Sequence, residues 1–357
     1  MRERSLRPDI RRPTLIAPGT LAAAWMWAAV VPVAGADESL TIAGSAWISD
    51  APTALAAGRG WFNRDGDAGP RIGTIHVDSG ADALARLLAG DADFALAAPT
   101  PFARALLSGA YADDPPMVIG SVALSNRTHH LIANGARGID RPADLRGRRV
   151  GVMPGTSAHF GWHLFSRLHQ LDGDAVTRVD MDVRDLPAAL VDGRIDAAVL
   201  WSPWDQPARA ELGPRLREYS MRSLYTVNWL LVTRRSVAIT HPEAMDRVVT
   251  GYIRAIAALK DDRAEGLRWH ADAIGQSVES LLEHADSVIW RMSLDWSVPA
   301  NLEAQFDWFL DWPEYSGRAR PAPYEYIIDA PLRRVAPAQV RLPDYLACAD
   351  PGGGCPR

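Results

Sequence analysis

The sequence predicts an α/β fold of two similar lobes, chiefly because one pattern occurs in it twice. Residues 83–99 and 187–203 each contain an apolar helix, a glycine, an aspartate three residues later, a short apolar strand and a proline. Gly90 and Gly193 can take the left-handed conformation that ends a helix, and the apolar run after each suits a parallel strand covered on both faces. Ligands of such sheets bind outside the carboxyl ends of the strands. Two facing lobes therefore predict a ligand-binding cleft.

The length and composition agree with this fold class. The chain has 357 residues, of which 48% are apolar and 23% are charged, which is enough for two cores of roughly 100–150 residues each. Its formal net charge is -5, and it falls to near -8 without the arginine-rich first 36 residues. An acidic chain argues against nucleic acid as a partner.

The elements of the first lobe follow from local patterns. Asp50 and Pro52 favour a helix start, because an aspartate accepts bonds from the first N–H groups and proline suits the first turn. Strands are expected where apolar residues alternate or run together. The predicted elements are a strand at 40–43, a helix at 53–58, a strand at 71–77, a helix opened by 78–80, a helix at 101–109, and strands at 117–124 and 129–133.

The second half continues the alternation of strands and helices. We expect a turn at 142–147, a strand at 149–153, a helix from 154 to about 169, a strand at 176–183, the second repeat, a strand at 230–233 that returns to the first lobe, and an amphipathic helix at 242–259. The predicted organisation is a discontinuous first lobe of residues 37–133 with 234–330, a second lobe of residues 134–233, and a Pro/Gly-rich tail at 331–357. Hinge crossings are expected near Ala133-Asn134 and Thr233-Arg234.

The first 36 residues have the pattern of a cleaved secretory signal peptide. Five arginines come first, an uncharged apolar stretch follows at 15–33, and Ala34-Gly35-Ala36 offers a small-residue cleavage site. A membrane anchor is the alternative, although two prolines and a glycine interrupt the apolar stretch. We therefore expect export to the periplasm. Cys348 and Cys355 could form a disulfide there, and the sequence leaves that pairing open.

One strand-to-helix junction is typical of an anion site. Residues 151–158 join a strand to a Pro-Gly turn, and Thr156 and Ser157 offer hydroxyl groups beside free N–H groups at a helix N-terminus. Plain helix capping is the alternative explanation for both residues. Trp201 and its neighbours follow the second repeated strand, where aromatic side chains either wall a pocket or pack between lobes.

Several motifs together resemble a known family. They are residues 79–84, 142–152, 154–159 and 196–204, and in this order and spacing they are similar to the sulfonate-, taurine- and nitrate-binding proteins of ABC importers. The resemblance implies a two-lobed type II periplasmic-binding-protein fold with a hinged inter-lobe cleft that closes over a ligand. It also implies ligand contacts from the matching loops, namely Trp47, Ser79, Gly80, Thr100, Ser125, Thr156, Ser157, Trp201 and Ser202.

The resemblance further predicts the function and the partners. The protein would be a monomer that captures a small anion, from the aliphatic sulfonate, taurine, nitrate or carboxylate classes, without a metal, a cofactor or catalytic residues. It would deliver this ligand through peripheral contact with an inner-membrane ABC permease, whose ATPase supplies the catalysis. Two alternatives remain open: an enzyme on the same fold, such as a lyase or a precursor synthase, or a sensor module for a receptor.

Overall fold

Two β-sheets form the framework of the protein in a computed structural model that describes residues 39–63, 66 and 69–342. The first sheet contains, in spatial order, β11 (Ile289–Ser293), β4 (Pro116–Ser125), β10 (Val227–Arg234), β3 (Phe94–Ala97), β1 (Ser39–Ser45) and β2 (Arg71–Val77). The second contains β7 (Thr177–Asp180), β6 (Arg149–Val152), β8 (Ala197–Leu200), β5 (His130–Asn134) and β9 (Leu216–Ser220).

Helices cover both sheets. They are α1 (Ala51–Gly58), α2 (Gly80–Ala89), α3 (Pro99–Ser108), α4 (Ser157–Leu168), α5 (Leu186–Val191), α6 (Gln206–Leu212), α7 (Arg235–Thr240), α8 (Pro242–Asp261), α9 (Arg263–Ile274), α10 (Val278–Ala285), α11 (Ser297–Leu310) and α12 (Ala330–Val335). The helix α1 packs against α8 and α9, and α11 packs against α3. The mixed α/β architecture with two sheets confirms the predicted fold class.

The repeated pattern has the same structure in both sheets. Gly90 and Gly193 end their helices in the left-handed region, with φ of 84° and 73°. The strands that follow, β3 and β8, are buried along their whole length. Asp93 and Asp196 each accept a hydrogen bond, at 2.9 Å, from a backbone N–H of the neighbouring strand, which is β1 in one sheet and β6 in the other. The aspartate thus fixes two parallel strands to each other in both copies.

The two sheets are built on the same plan. In the first, β1 runs parallel to β2 and β3, and β10 is antiparallel to β3. In the second, β6 runs parallel to β7 and β8, and β5 is antiparallel to β8. By this correspondence α4, which follows β6, matches the segment after β1, where Trp47 lies. The junctions after β1 and β6 therefore occupy equivalent places in the two sheets.

The chain crosses between the sheets at other places than predicted. It leaves the first sheet between β4 and β5 and returns between β9 and β10. The predicted crossings at Ala133-Asn134 and Thr233-Arg234 were wrong, because both lie within or at the end of these strands. Consequently β5 belongs with the second sheet and β10 with the first. The predicted second lobe, residues 134–233, therefore has to begin before β5 and end before β10. The polar residues that cross are those immediately before β5 and before β10.

The predicted tail begins too early. Residues 331–342 include most of α12, which packs on α8, and Val340 pairs with Leu294 in an isolated bridge. The strand expected at 176–183 is also shorter, since β7 ends at Asp180. The leader at 1–36 and both cysteines lie outside the described residues.

Residues of both sheets belong to one compact unit, so the division into two lobes stays a proposal. Polar contacts join the two halves: Arg184 Nη1 lies 3.3 Å from Asp78 Oδ2, and Gln206 Nε2 donates to Ser280 Oγ at 3.0 Å. In the ranges that the structure describes, no helix has the length and apolar character needed to cross a membrane.

Candidate ligand-binding site

A pocket lies where the carboxyl ends of strands from both sheets meet. About 420 Å³ of space lies between its walls, part of it open to solvent. The residues that line it are Ser45, Trp47, Ser79, Gly80, Ala81, Ala98, Pro101, Thr128, His129, Thr156, Ser157, Trp201 and Trp229. Most of them directly follow β1, β2, β3, β6 or β8. This is the edge at which open α/β sheets bind ligands, so the pocket lies where the sequence predicted the cleft.

Three helices begin at this pocket. The cap residues of α2, α3 and α4 are Ser79, Ala98 and Thr156, and all three line the pocket. The first N–H groups of a helix have no partner within the helix, and the helix dipole places partial positive charge at the same end. Among the described residues, no lysine, arginine, aspartate or glutamate lines the pocket. Its electrostatic character therefore comes from backbone dipoles, which favour a negatively charged occupant.

Two buried donors in the pocket have no partner in the described part of the chain. They are Trp47 Nε1 and Thr128 Oγ1, in side chains that are only 4% and 5% exposed. A buried polar group normally has a hydrogen-bond partner, and leaving it without one costs about 1–3 kcal/mol. Because both residues line the pocket, a bound ligand with acceptor oxygens would supply the missing partners.

The two hydroxyl groups at the start of α4 already have partners. Thr156 Oγ1 donates to the Met153 carbonyl at 2.8 Å and accepts from the His159 N–H at 3.4 Å. Ser157 Oγ lies 3.0 Å from His129 Nε2. Both residues line the pocket as predicted, and Thr156 also caps the helix. The backbone N–H groups of Ser157 and Ala158 donate to no acceptor among the described residues. These two donors are therefore available to a ligand.

A neutral histidine forms part of the wall. Burial, reinforced by neighbouring His130, lowers the pKa of His129 to about 3, so its ring is uncharged at neutral pH. Tyr225 stacks on this ring with a centroid distance of 6.3 Å, and Trp201 meets it edge-on at 6.2 Å. The Tyr225 hydroxyl donates to the Ser157 carbonyl at 2.7 Å. The crossing segments before β5 and β10 thus hold the start of α4 in place.

The buried carboxyl group of Asp50 forms hydrogen bonds to two residues of the pocket wall. Asp50 was predicted to cap α1, but its side chain makes no capping bond. It accepts instead from the Ser45 N–H and, at 2.5 Å, from Trp229 Nε1, and both of these residues line the pocket. Complete burial raises the pKa of Asp50 to about 7. Its protonation state therefore changes near neutral pH, directly beneath the pocket.

The structure places six of the nine predicted contact residues in the pocket lining: Trp47, Ser79, Gly80, Thr156, Ser157 and Trp201. The other three lie outside that lining. Thr100 Oγ1 donates to Gln305 Oε1 at 2.8 Å, Ser125 Oγ donates to the Ser287 carbonyl at 2.7 Å, and Ser202 lies buried beyond Trp201. The first two hydroxyl groups hold the C-terminal third of the chain and so serve the fold.

Sequence reasoning missed several lining residues. Thr128 and His129 belong to a crossing segment that carries no repeated motif, and Ser45 ends β1 without a distinctive signal. Trp229 lies inside β10, where no sequence motif marks a ligand contact. The signal that could have found it is general: a buried indole N–H usually has a hydrogen-bond partner. Here that partner is the carboxylate of Asp50.

With the geometry described, the family can be assigned. A family model described as NMT1/THI5 like matches residues 47–265, which include every pocket residue except Ser45. The chain belongs to the NMT1/THI5-like family. The matched span ends before α11.

Individual relatives and solved structures agree with this assignment. A Brucella abortus protein, provisionally named a binding protein, is 28% identical over 202 residues, which cover 55% of this chain and 59% of that protein. The chain is thus aligned to less than two thirds of the curated relatives' length.

Two solved structures have the same fold. The alkanesulfonate-binding protein SsuA from Xanthomonas axonopodis pv. citri, bound to MOPS, matches with a TM-score of 0.66 at 20% identity, over 83% of this chain and 100% of that one. The periplasmic nitrate-binding protein NrtA from Synechocystis PCC 6803 matches with a TM-score of 0.64 at 11% identity, over 88% and 92%. At these identities the likeness shows the periplasmic binding protein fold.

Proposed function

We propose that the protein is the extracytoplasmic solute-binding component of an ABC importer and that it captures a small anion in this pocket. The observation that carries the proposal is the combination of three helix N-termini with two unpartnered donors, Trp47 Nε1 and Thr128 Oγ1. An anion with several acceptor oxygens satisfies all of them. Sulfonates, taurine, nitrate and small carboxylates have this chemistry, and sulfonate- and nitrate-binding proteins share the fold.

The same pocket gives one reason to consider an enzyme. Ser157 Oγ and His129 Nε2 are 3.0 Å apart, which is the distance between a nucleophile and its general base. However, a catalytic base needs a pKa near the working pH, and burial lowers that of His129 to about 3. Among the described residues, no carboxylate orients the other ring nitrogen. The pair is better suited to hold the pocket wall, so we favour binding over catalysis.

A thermal-shift comparison of matched solutes tests the proposed ligand class. Methanesulfonate and dimethyl sulfone have the same shape, but only the first carries a charge. Taurine, nitrate and acetate extend the set. A ligand at one hundred times its dissociation constant stabilises the folded state by about 2.7 kcal/mol. We expect at least one anion to raise the melting temperature and dimethyl sulfone to leave it unchanged. Equal effects of the sulfone and the sulfonate would refute the anion proposal.

The proposed location has a separate test. If residues 1–36 are a signal peptide, protein purified from its host should begin near Asp37. N-terminal sequencing reads this directly. A mature chain that retains the apolar stretch at 15–33 would support a membrane anchor instead, without affecting the ligand assignment.

A further inference from the structure

A second cavity lies on the outer side of α4, away from the anion pocket. About 770 Å³ of space, part of it open to solvent, lies between α4, α11 and the segment before β7, and we name it the α4–α11 crevice. Its lining includes three tryptophans, two aspartates, two histidines and Arg178. None of them lines the anion pocket, and the α11 wall lies beyond the part of the chain that the family model matches.

Three indole rings make up much of the crevice wall. Trp162 and Trp308 are each only 6% exposed, and Trp312 is half-buried. The rings of Trp308 and Trp312 meet edge-on with centroids 5.0 Å apart. An indole face carries negative electrostatic potential, and indole is the aromatic group that attracts cations most strongly.

The acidic groups of the crevice are available to an occupant. Asp172 and Asp311 are exposed, and their carboxylates make no hydrogen bond or ion pair with any residue the structure describes. The one lining cation, Arg178, is engaged: Asp180 binds its guanidinium at 2.7 and 3.1 Å. Arg167 lies near His163 without lining the crevice. The unpaired charge that faces the crevice is therefore negative.

The two histidines add no positive charge. Burial, and then the nearby Arg178 guanidinium, lower the pKa of His159 to about 3. Burial also lowers the pKa of His163. Both rings are neutral at pH 7 and leave the negative potential of the carboxylates and indoles uncompensated.

We propose that the α4–α11 crevice is a second binding site, for a small organic cation of the ammonium or quaternary ammonium class. Trp312, the least buried of the three indoles, would contact the alkyl groups that carry the charge, and Asp172 and Asp311 would balance it. A metal ion suits the crevice less well, because its walls are aromatic rings rather than the converging oxygen or nitrogen ligands that metals require. The protein would then have two sites of opposite preference on one helix, an anion pocket at the start of α4 and a cation crevice along its side.

Titration of the full chain with matched probes tests this proposal. Choline and 3,3-dimethylbutan-1-ol have nearly the same shape, but only choline is charged, and tetramethylammonium serves as a second cation. Tryptophan fluorescence and calorimetry follow the binding. We expect choline or tetramethylammonium to bind at least roughly tenfold more tightly than the neutral alcohol. Absence of binding by both cations, or equal binding of choline and the alcohol, would overturn the proposal.

Substitutions then locate the site. Asp172→Asn combined with Asp311→Asn should weaken choline binding by roughly tenfold or more. The control is Asp261→Asn combined with Asp272→Asn, which removes the same charge from exposed positions outside the crevice. Thermal melts confirm that each variant is folded. If both double variants lose affinity equally, general electrostatics explains the binding and the crevice assignment fails. Affinity for the anion found in the thermal-shift comparison should stay unchanged, which separates this proposal from the proposed function.

Discussion

Thr128→Val should have opposite effects on ligand affinity and on the stability of the free protein. The Thr128 hydroxyl is buried, 5% exposed as a residue, and without a partner in the described chain. Valine keeps the shape of threonine and removes this group. The free protein should gain up to about 1 kcal/mol, because an unsatisfied buried donor no longer has to be desolvated. Ligand affinity should fall, since a hydrogen bond to a charged oxygen contributes about 1.5–3 kcal/mol.

Thr100→Val is the matched control. Thr100 is fully buried near the pocket, but its hydroxyl donates to Gln305 at 2.8 Å. The same substitution there leaves Gln305 Oε1 without its partner, so the free protein should lose about 1 kcal/mol and keep its affinity. The same substitution should therefore raise stability and lower affinity at Thr128, and lower stability without changing affinity at Thr100.

Urea unfolding and calorimetric titration with the anion identified by thermal shift measure both quantities. For Thr128→Val we expect affinity to fall at least tenfold, because about 1.4 kcal/mol corresponds to a factor of ten. A Thr128→Val protein that is less stable than wild type and binds the anion normally would refute the reasoning. It would mean that the hydroxyl has a structural partner and does not contact the ligand.

Three further predictions follow from the site. Thr156→Val combined with Ser157→Ala should lower the free energy of unfolding by about 1 kcal/mol through the lost cap, and unchanged anion affinity in titration would assign these hydroxyls to capping alone. Between pH 3.8 and about 7 the folded state holds the extra Asp50 proton, so in urea melts the Asp50 contribution to the free energy of unfolding should fall by at most about 1.4 kcal/mol per pH unit, while the lowered pKa values of His129 and His159 act in the opposite direction in every variant. Asp50→Asn should flatten this loss, and parallel curves would contradict it. Small-angle scattering should show a contraction on anion binding, and an identical profile at saturation would argue against a closing cleft.

The sequence predicted the features that depend on local backbone chemistry. Gly90 and Gly193 end helices because only glycine takes that conformation without strain, and the aspartate that follows each one anchors the next strand. The pocket position then follows from topology, because ligands bind at the carboxyl ends of parallel strands. Thr156 was found for this reason, whereas Trp47 was implied by the family resemblance.

The sequence could not predict how side chains share their hydrogen bonds. Thr156 turns back to Met153, and Asp50 turns away from its helix to hold Trp229. Both outcomes depend on residues that are distant in the chain or on the local turn geometry. Thr128 and His129 were missed as pocket-lining residues because they come from a crossing segment, and crossings have no periodic pattern. The predicted positions of the two crossings were wrong because the apolar sequences of β5 and β10 are compatible with either sheet.

The uncharged lining of the pocket has a consequence for how fast the proposed anionic ligand would arrive. A helix terminus acts only over about one turn, so it offers little attraction to an anion that is still in solution. The chain as a whole carries a net charge of -5, which repels anions at long range. Added salt screens this repulsion over roughly 8–10 Å at physiological ionic strength. The association rate should therefore rise with ionic strength. At an arginine-lined site, added salt would instead screen an attraction and lower the association rate. The proposed anion would be captured fastest at high ionic strength.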